Sequence, residues 1–394
     1  PTDDGPVESP RGIPAFATMP TPADGAVDVA QDTVLSWSAG PYAVTHDVYF
    51  GTVFDDVNLA SRTNPLGVLV SQGQTDTTYV PVDRLELERT YYWRVDEVNM
   101  AANPAIVKGG VWRFTIEPFA YPVQNIVASA SGFQPGFGPE NTINGSGLNA
   151  DDLHSVEQED MWLVDSAQSG PVWIQYEFDR IYKLQELWVW NYNVIFEAVI
   201  GYGFKDVTVE YSTDGMEWTV LGDVEFAKAP AAPDYASNTI VDLGGIAARY
   251  VRLTPSSNWG GLFSQYGLSE VRFFYIPAHP REPQPADGLS DVDPATILAW
   301  RAGRGAAAHE IYLGTDVETV RDGTAPTDIV GSASYDPGSL DFGTTYYWRI
   351  VEVNDAAMPS AWEGDLWSFA TKSYETVDDF ESYTDNLDAG EAIF

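Results

Sequence analysis

The sequence contains no cysteine. That excludes disulfides, thiolate metal sites and cysteine nucleophiles, and it leaves stability to core burial. Lysine is nearly as scarce, with five of the 20 basic residues set against 58 acids and a net charge of −38. Such a chain repels phosphate backbones and anionic headgroups, so nucleic acid is excluded as a partner and membrane attachment is disfavoured. An acid-rich, lysine-poor surface stays hydrated at high ionic strength, which suits a saline, extracellular setting and equally the plain solubility of a surface protein. No apolar run is long enough to span a bilayer, and the opening PTDDGPVESPRG has neither a charged leader nor an apolar core. The chain therefore reads as a soluble, processed or excised segment.

Catalytic patterns are missing too. There is no serine elbow, H-E-x-x-H, Walker or dinucleotide glycine motif, and with 58 acids carboxylate pairs arise by chance. The expected protein is not an enzyme, although a catalytic domain in a longer parent is compatible with the sequence.

What is present is a repeat. PTPADGAVDVAQDTVLSW at 20–37 matches PQPADGLSDVDPATILAW at 283–300, THDVYFGT matches AHEIYLGT, and TYYWRVDEVN matches TYYWRIVEVN. Each copy shows short alternating strands separated by turn residues, the spacing of an all-β sandwich. Trp37, Trp93, Trp300 and Trp348 fall at alternating strand positions, where large rings fill the space between sheets. His46 and His309 occupy equivalent places and read as structural. Both copies, 19–118 and 278–373, resemble fibronectin type III modules, with the tyrosine pairs where a tyrosine corner would lie.

Between them, 120–276 carries WIQYEFD, a WVW strand, VTVEYSTDGMEWTVL, ARYVRLTPSSNWGG and LSEVRFF in that order. This segment resembles a discoidin, or coagulation factor 5/8 type C, domain of the family 32 carbohydrate-binding module type. The resulting fold class is all-β, three tandem β-sandwiches in which a discoidin-like jelly roll sits between fibronectin III-like copies. Residues 1–18 read as a linker and 374–394 as the start of a further, truncated domain.

The resemblance implies a sugar held at the loop end of the central sandwich by one stacking ring and a few hydrogen-bonding side chains. The loop SSNWGGLFSQYG supplies Asn258, Trp259, Phe263 and Tyr266; the segment after the WVW strand supplies Asn191, Tyr192 and Asn193; ADDLHSVEQEDMW supplies His154 and Trp162. Trp259 reads either as an exposed platform or as part of a buried cluster, and His154 either as a hydroxyl partner or as a satisfied imidazole. The same resemblance implies a structural calcium near Asn144, Asp151, Asp152 and Glu270, although Asn144 stands where the family pattern has an aspartate. Asn144-Gly-Ser also matches a glycosylation sequon. The expected function is non-catalytic: a secreted or cell-surface segment of a multidomain bacterial protein that binds a glycan and spaces other domains of its chain. The alternatives are a structural adhesion segment, or loop-tip membrane attachment through Trp259, Leu262 and Phe263.

Overall fold

The computed structural model describes residues 16–99, 105–164, 170–261 and 265–374. Phe263, and nearly all of the expected linker and truncated C-terminal domain, lie outside these residues. The described chain is almost entirely β-sheet, and it divides into one compact unit up to Phe119 and a second from Ala120 onward.

The first unit is a sandwich. A three-stranded sheet of Thr18–Thr21, Leu35–Ser38 and Thr78–Tyr79 faces a larger one, ordered Ala26–Val29, Trp112–Ile116, Thr90–Val98, Thr45–Gly51 and Leu69–Gln74. The alternation that suggested these strands aims Leu35, Trp37, Tyr91, Trp93 and Val95 inward, where they are buried together with Val48 and Phe114. The Tyr91 hydroxyl accepts the Glu86 N–H at 3.0 Å, the geometry of a tyrosine corner.

In the second unit, residues 281–371 repeat that topology, again with three strands on one face and the order Leu289–Val292, Trp367–Thr371, Thr345–Val353, Ala308–Gly314, Thr327–Val330 on the other. Tyr346 repeats the corner by accepting the Asp341 N–H at 3.1 Å.

The central sandwich is built differently. Two long strands, Ile174–Asn191 and Thr239–Pro255, bend and serve both layers. Their pairing slips between Glu177 and Tyr182, and the bend falls there. One half of Ile174–Asn191 pairs with Ile126–Ala130, the other with Gly267–Ile276. Ile174, Tyr176, Phe178, Leu187, Val189, Val207, Val251, Leu253 and Phe273 form the core between the layers. At the far end, Ser212 Oγ accepts the Gly215 N–H at 2.9 Å and Asp214 Oδ1 that of Met216 at 2.8 Å. The Trp218 ring that follows lies flat on the Arg252 guanidinium, 3.8 Å from its centroid. The DG-x-x-W stretch is thus a turn with its own caps.

Candidate functional site

Strand registers place the long loops together. Asn191, Thr239 and Gly267 end one layer where Asp206, Glu225 and Pro255 end the other. The loops 192–205, 226–238 and 256–266 each cross between these ends. Two of them lie edge to edge: Lys205 N donates to Ser257 O at 2.9 Å, Trp259 N to Gly203 O at 3.2 Å and Gly260 N to Gly201 O at 2.8 Å. A Cβ on Gly201 would fall 2.2 Å from Gly260 N, and one on Gly260 would fall 2.1 Å from Ile200 O. Only glycine permits this approach.

Trp259 sits on that ladder, half-buried. Its Nε1 donates to Phe226 O at 3.0 Å, and Lys205 Nζ stands 5.4 Å from its ring centroid. The ring is pinned, between the free platform and the buried cluster that the sequence left open. Exposure belongs to the neighbouring segment, where Ile195, Phe196 and Val199 are 63%, 68% and 82% exposed. Three apolar side chains within five residues are thus turned to solvent. The loop is ordered from beneath. Glu197 is fully buried and accepts the Gly203 N–H at 2.8 Å and the Tyr202 N–H at 3.0 Å, while burial pushes its carboxyl up to about 7. Lys228 Nζ donates to Ala198 O at 3.1 Å.

Most of the other expected sugar contacts lie inside the protein. Asn191 Nδ2 donates to Phe204 O at 2.7 Å and Ala227 O at 2.9 Å; Asn193 Nδ2 donates to Ser155 O at 2.9 Å and Ala232 O at 2.8 Å. His154 Nδ1 lies 3.0 Å from Ser155 O, its ring covers Gly147, and burial lowers its pKa so that the imidazole is held neutral. The Tyr192 ring packs over Gly267 beside Met161 and Leu163. Trp162 stands edge-on to Phe204 in the core, 5.8 Å away. Asn258 is largely buried and ties its own loop, donating to Gln265 O at 2.8 Å and accepting the Gly261 N–H at 2.8 Å. Tyr266 is half-buried against Phe204. For the three asparagines the reason is common. Where loops cross, backbone carbonyls face one another and cannot pair, so buried amides satisfy them.

Comparison with known proteins places this geometry. Residues 125–267 match the family model described as the F5/8 type C domain. The central sandwich is an F5/8 type C domain. No curated protein matches the chain. Among similar solved structures is the family 32 carbohydrate-binding module of C. perfringens NanJ in complex with galactose, with 13% identity, TM-score 0.30, and 40% of this chain and 98% of that one covered. Another is CBM32-3 from a family 31 glycoside hydrolase of Clostridium perfringens, with 18% identity, TM-score 0.31 and coverage of 40% and 95%. A third is the family 89 glycoside hydrolase of Clostridium perfringens in complex with 2-acetamido-1,2-dideoxynojirmycin, with 14% identity and TM-score 0.28. The match spans 39% of this chain and 14% of that enzyme.

The metal set expected in this F5/8 type C domain is not brought together as a carboxylate cluster. Among the described residues no three His, Asp or Glu side chains converge as metal ligands. Asp152 is bound at 2.7 Å through both oxygens by Arg272, which holds its carboxyl below the usual range. Asp151 is exposed, and Asn144 Oδ1 caps the Ser146 N–H at 2.8 Å. Glu270 is set apart by its burial. It is 4% exposed, its Oε1 accepts the Gly145 N–H at 3.2 Å, and its Oε2 is buried without a partner. Burial pushes this carboxyl up to about 8. Asp152, by contrast, is already neutralised by Arg272.

Phe196, Val199 and Lys228 stand at this loop end without having been singled out from the sequence. The signal for the first two was available: NVIFEAVIG is an apolar run between strands, and its glutamate has to be either exposed or specifically held.

Proposed function

We propose that the chain is a non-catalytic glycan-binding segment, secreted or on a cell surface, whose F5/8 type C domain takes its sugar at the loop end. The fibronectin III-like sandwiches act as spacers. The observation that carries this reading is the exposed Phe196 ring on the loop laddered to Trp259. A pyranose offers a C–H face to such a ring and hydroxyls to the surrounding N–H donors and carbonyls. Lys205 and Lys228 stand at the same end as charged donors.

The test is a glycan array probed with the intact chain, followed by Phe196→Ala. Loss of binding by tenfold or more with an unchanged melting temperature supports the site, because an exposed ring leaves no cavity. Trp259→Ala should lower the melting temperature as well, since its Nε1 bond and its packing are lost. Binding that survives Phe196→Ala places the sugar elsewhere.

Glu270, with oxygens of the 141–146 loop, is our proposed calcium ligand, and its role would be structural. A second reading, bilayer attachment, is favoured by Ile195, Phe196 and Val199 standing exposed next to Lys228. Sedimentation with anionic and neutral liposomes separates the two, since the glycan reading expects no co-sedimentation with either.

A further inference from the structure

The sequence holds a single Asn-Gly pair, Asn144-Gly145, which opens the sequon. It follows the short helical turn Pro139–Thr142, on a loop fastened on both sides. Before the pair, Asn141 Nδ2 donates to Glu159 O at 2.9 Å and Met161 O at 3.1 Å; after it, Leu148 N donates to Gly145 O at 3.0 Å. Asn144 is exposed, and its side chain turns back over its own backbone, Oδ1 accepting the Ser146 N–H at 2.8 Å. Gly145 takes φ +68°, and among the described residues nothing stands within 4 Å of where its Cβ would be. Its N–H is directed to Glu270 Oε1 at 3.2 Å.

These contacts prepare a reaction. The Ser146 N–H draws electrons from Asn144 Cγ through the amide oxygen, and it stands where negative charge gathers when a nucleophile adds to that carbon. The nucleophile within reach is Gly145 N, because its attack on Cγ closes a five-membered ring. The hydrogen bond to Glu270 lies in the peptide plane, whereas nitrogen attacks from the face of that plane, and no side chain on residue 145 covers it. Electrophile and nucleophile are thus held together in one ordered loop, without the entropy cost of an encounter.

We propose that Asn144 is a site of self-modification, at which the native loop promotes hydrolytic deamidation. Gly145 N bonds to Cγ, the Cγ–Nδ2 bond breaks, and the Gly145 amide proton departs with Nδ2 as ammonia, leaving a succinimide. Water then cleaves one of two bonds. Cleavage of the new Cγ–N bond gives aspartate; cleavage of the original peptide bond gives isoaspartate, with a methylene added to the main chain. Either product carries one more negative charge. The consequence falls on Glu270, whose Oε1 uses the Gly145 N–H and whose Oε2 has no partner among the described residues. The succinimide has no N–H to offer, and isoaspartate displaces the residues that follow it. A buried carboxyl stripped of its donor is costly, so modification loosens the 141–146 loop from the strand Gly267–Ile276.

The test is mass spectrometry of the intact chain aged at neutral pH, folded and in urea, with chelator present throughout so that no metal takes part. The peptide containing Asn144 should gain one dalton at least as fast in the folded chain as in urea, while the other asparagines stay unchanged. In Asn144→Gln, whose longer side chain closes only a larger ring, that peptide should gain nothing. A gain that is slower folded than in urea shows that the loop protects the pair, and it overturns the proposal. The melting temperature of the folded native chain should fall as the gain accumulates, and that of aged Asn144→Gln should hold. A constant melting temperature at full conversion overturns the loosening at Glu270.

Discussion

At the scale of single residues, the loop end depends on buried polar groups more than on its rings. Glu197 shows this most clearly, since a carboxylate with no exposure holds up the loop that bears Phe196. Its carboxyl is raised from 4.5 to about 7, chiefly by burial. The folded protein therefore keeps the proton that the unfolded chain gives up, and stability falls as pH climbs between these two values. The sign follows from the folded state binding more protons, and 1.36 kcal/mol per unit makes the loss roughly 3 kcal/mol. Glu197→Gln should flatten that part of the stability profile between pH 5 and pH 8, measured by thermal melts of the intact chain. An unchanged slope would remove Glu197 as its source. Glu270 predicts a different response. If calcium takes its unpaired oxygen, millimolar calcium should raise the melting temperature and chelator should lower it, by linkage to the folded state alone. Glu270→Gln should abolish the difference; a melt indifferent to calcium in the native chain rules out the site.

Residue identity by itself left the roles of these side chains open. Asn191, Asn193 and His154 have the side chains a sugar needs, but the same hydrogen-bonding capacity serves orphaned carbonyls. Which of these a residue meets depends on loops such as 226–238, whose path no local pattern reveals. Trp162 and Tyr192 are claimed by core packing.

Among strands and loops, legibility was uneven for a physical reason. Period-two alternation reports which side of a strand is buried, and it placed Leu35, Trp37, Tyr91 and Trp93 in a core, with Leu298, Trp300, Tyr346 and Trp348 as their counterparts. Pairing partners are non-local. The equivalent histidines read as structural, and they are: His46 Nδ1 faces Glu97 and its ring meets Trp37 edge-on at 5.4 Å, while His309 faces Glu352 and meets Trp300 at 5.3 Å. The acids themselves had not been singled out, because they belong to the neighbouring strand, 51 and 43 residues further along. PVWIQYEF and LQELWVWNYN read as two strands, yet they are joined in one, Ile174–Asn191, because the intervening bulge bends the strand without ending its pairing. The short helix Glu197–Ile200 was missed since one turn is too short to show a helical period.

For the molecule as a whole, charge is the property that no local contact explains. A net of −38 spread over 394 residues means that most exposed acids have no basic neighbour. Several arginines are already committed to fixed partners, as Arg94 is to Asp96 at 2.8 Å and Arg272 to Asp152. Salt therefore acts in two opposing directions. It weakens the few exposed ion pairs, such as Arg180–Asp365, each worth about 0–1 kcal/mol. It also screens the self-repulsion of the whole surface, shrinking the Debye length from about 30 Å at 0.01 M to about 3 Å at 1 M. Repulsion among many unpaired acids outweighs a handful of weak attractions, and the compact state is the one that repulsion penalises. The melting temperature of the intact chain should thus rise with sodium chloride from 0.01 M, steeply at first and levelling off as the Debye length falls below the spacing of neighbouring charges. Potassium chloride should reproduce the curve, because screening does not distinguish the cations, whereas specific ion binding would separate them. A melting temperature that falls with salt would mean that the local pairs dominate after all and that the acidic surface is electrostatically neutral with respect to folding.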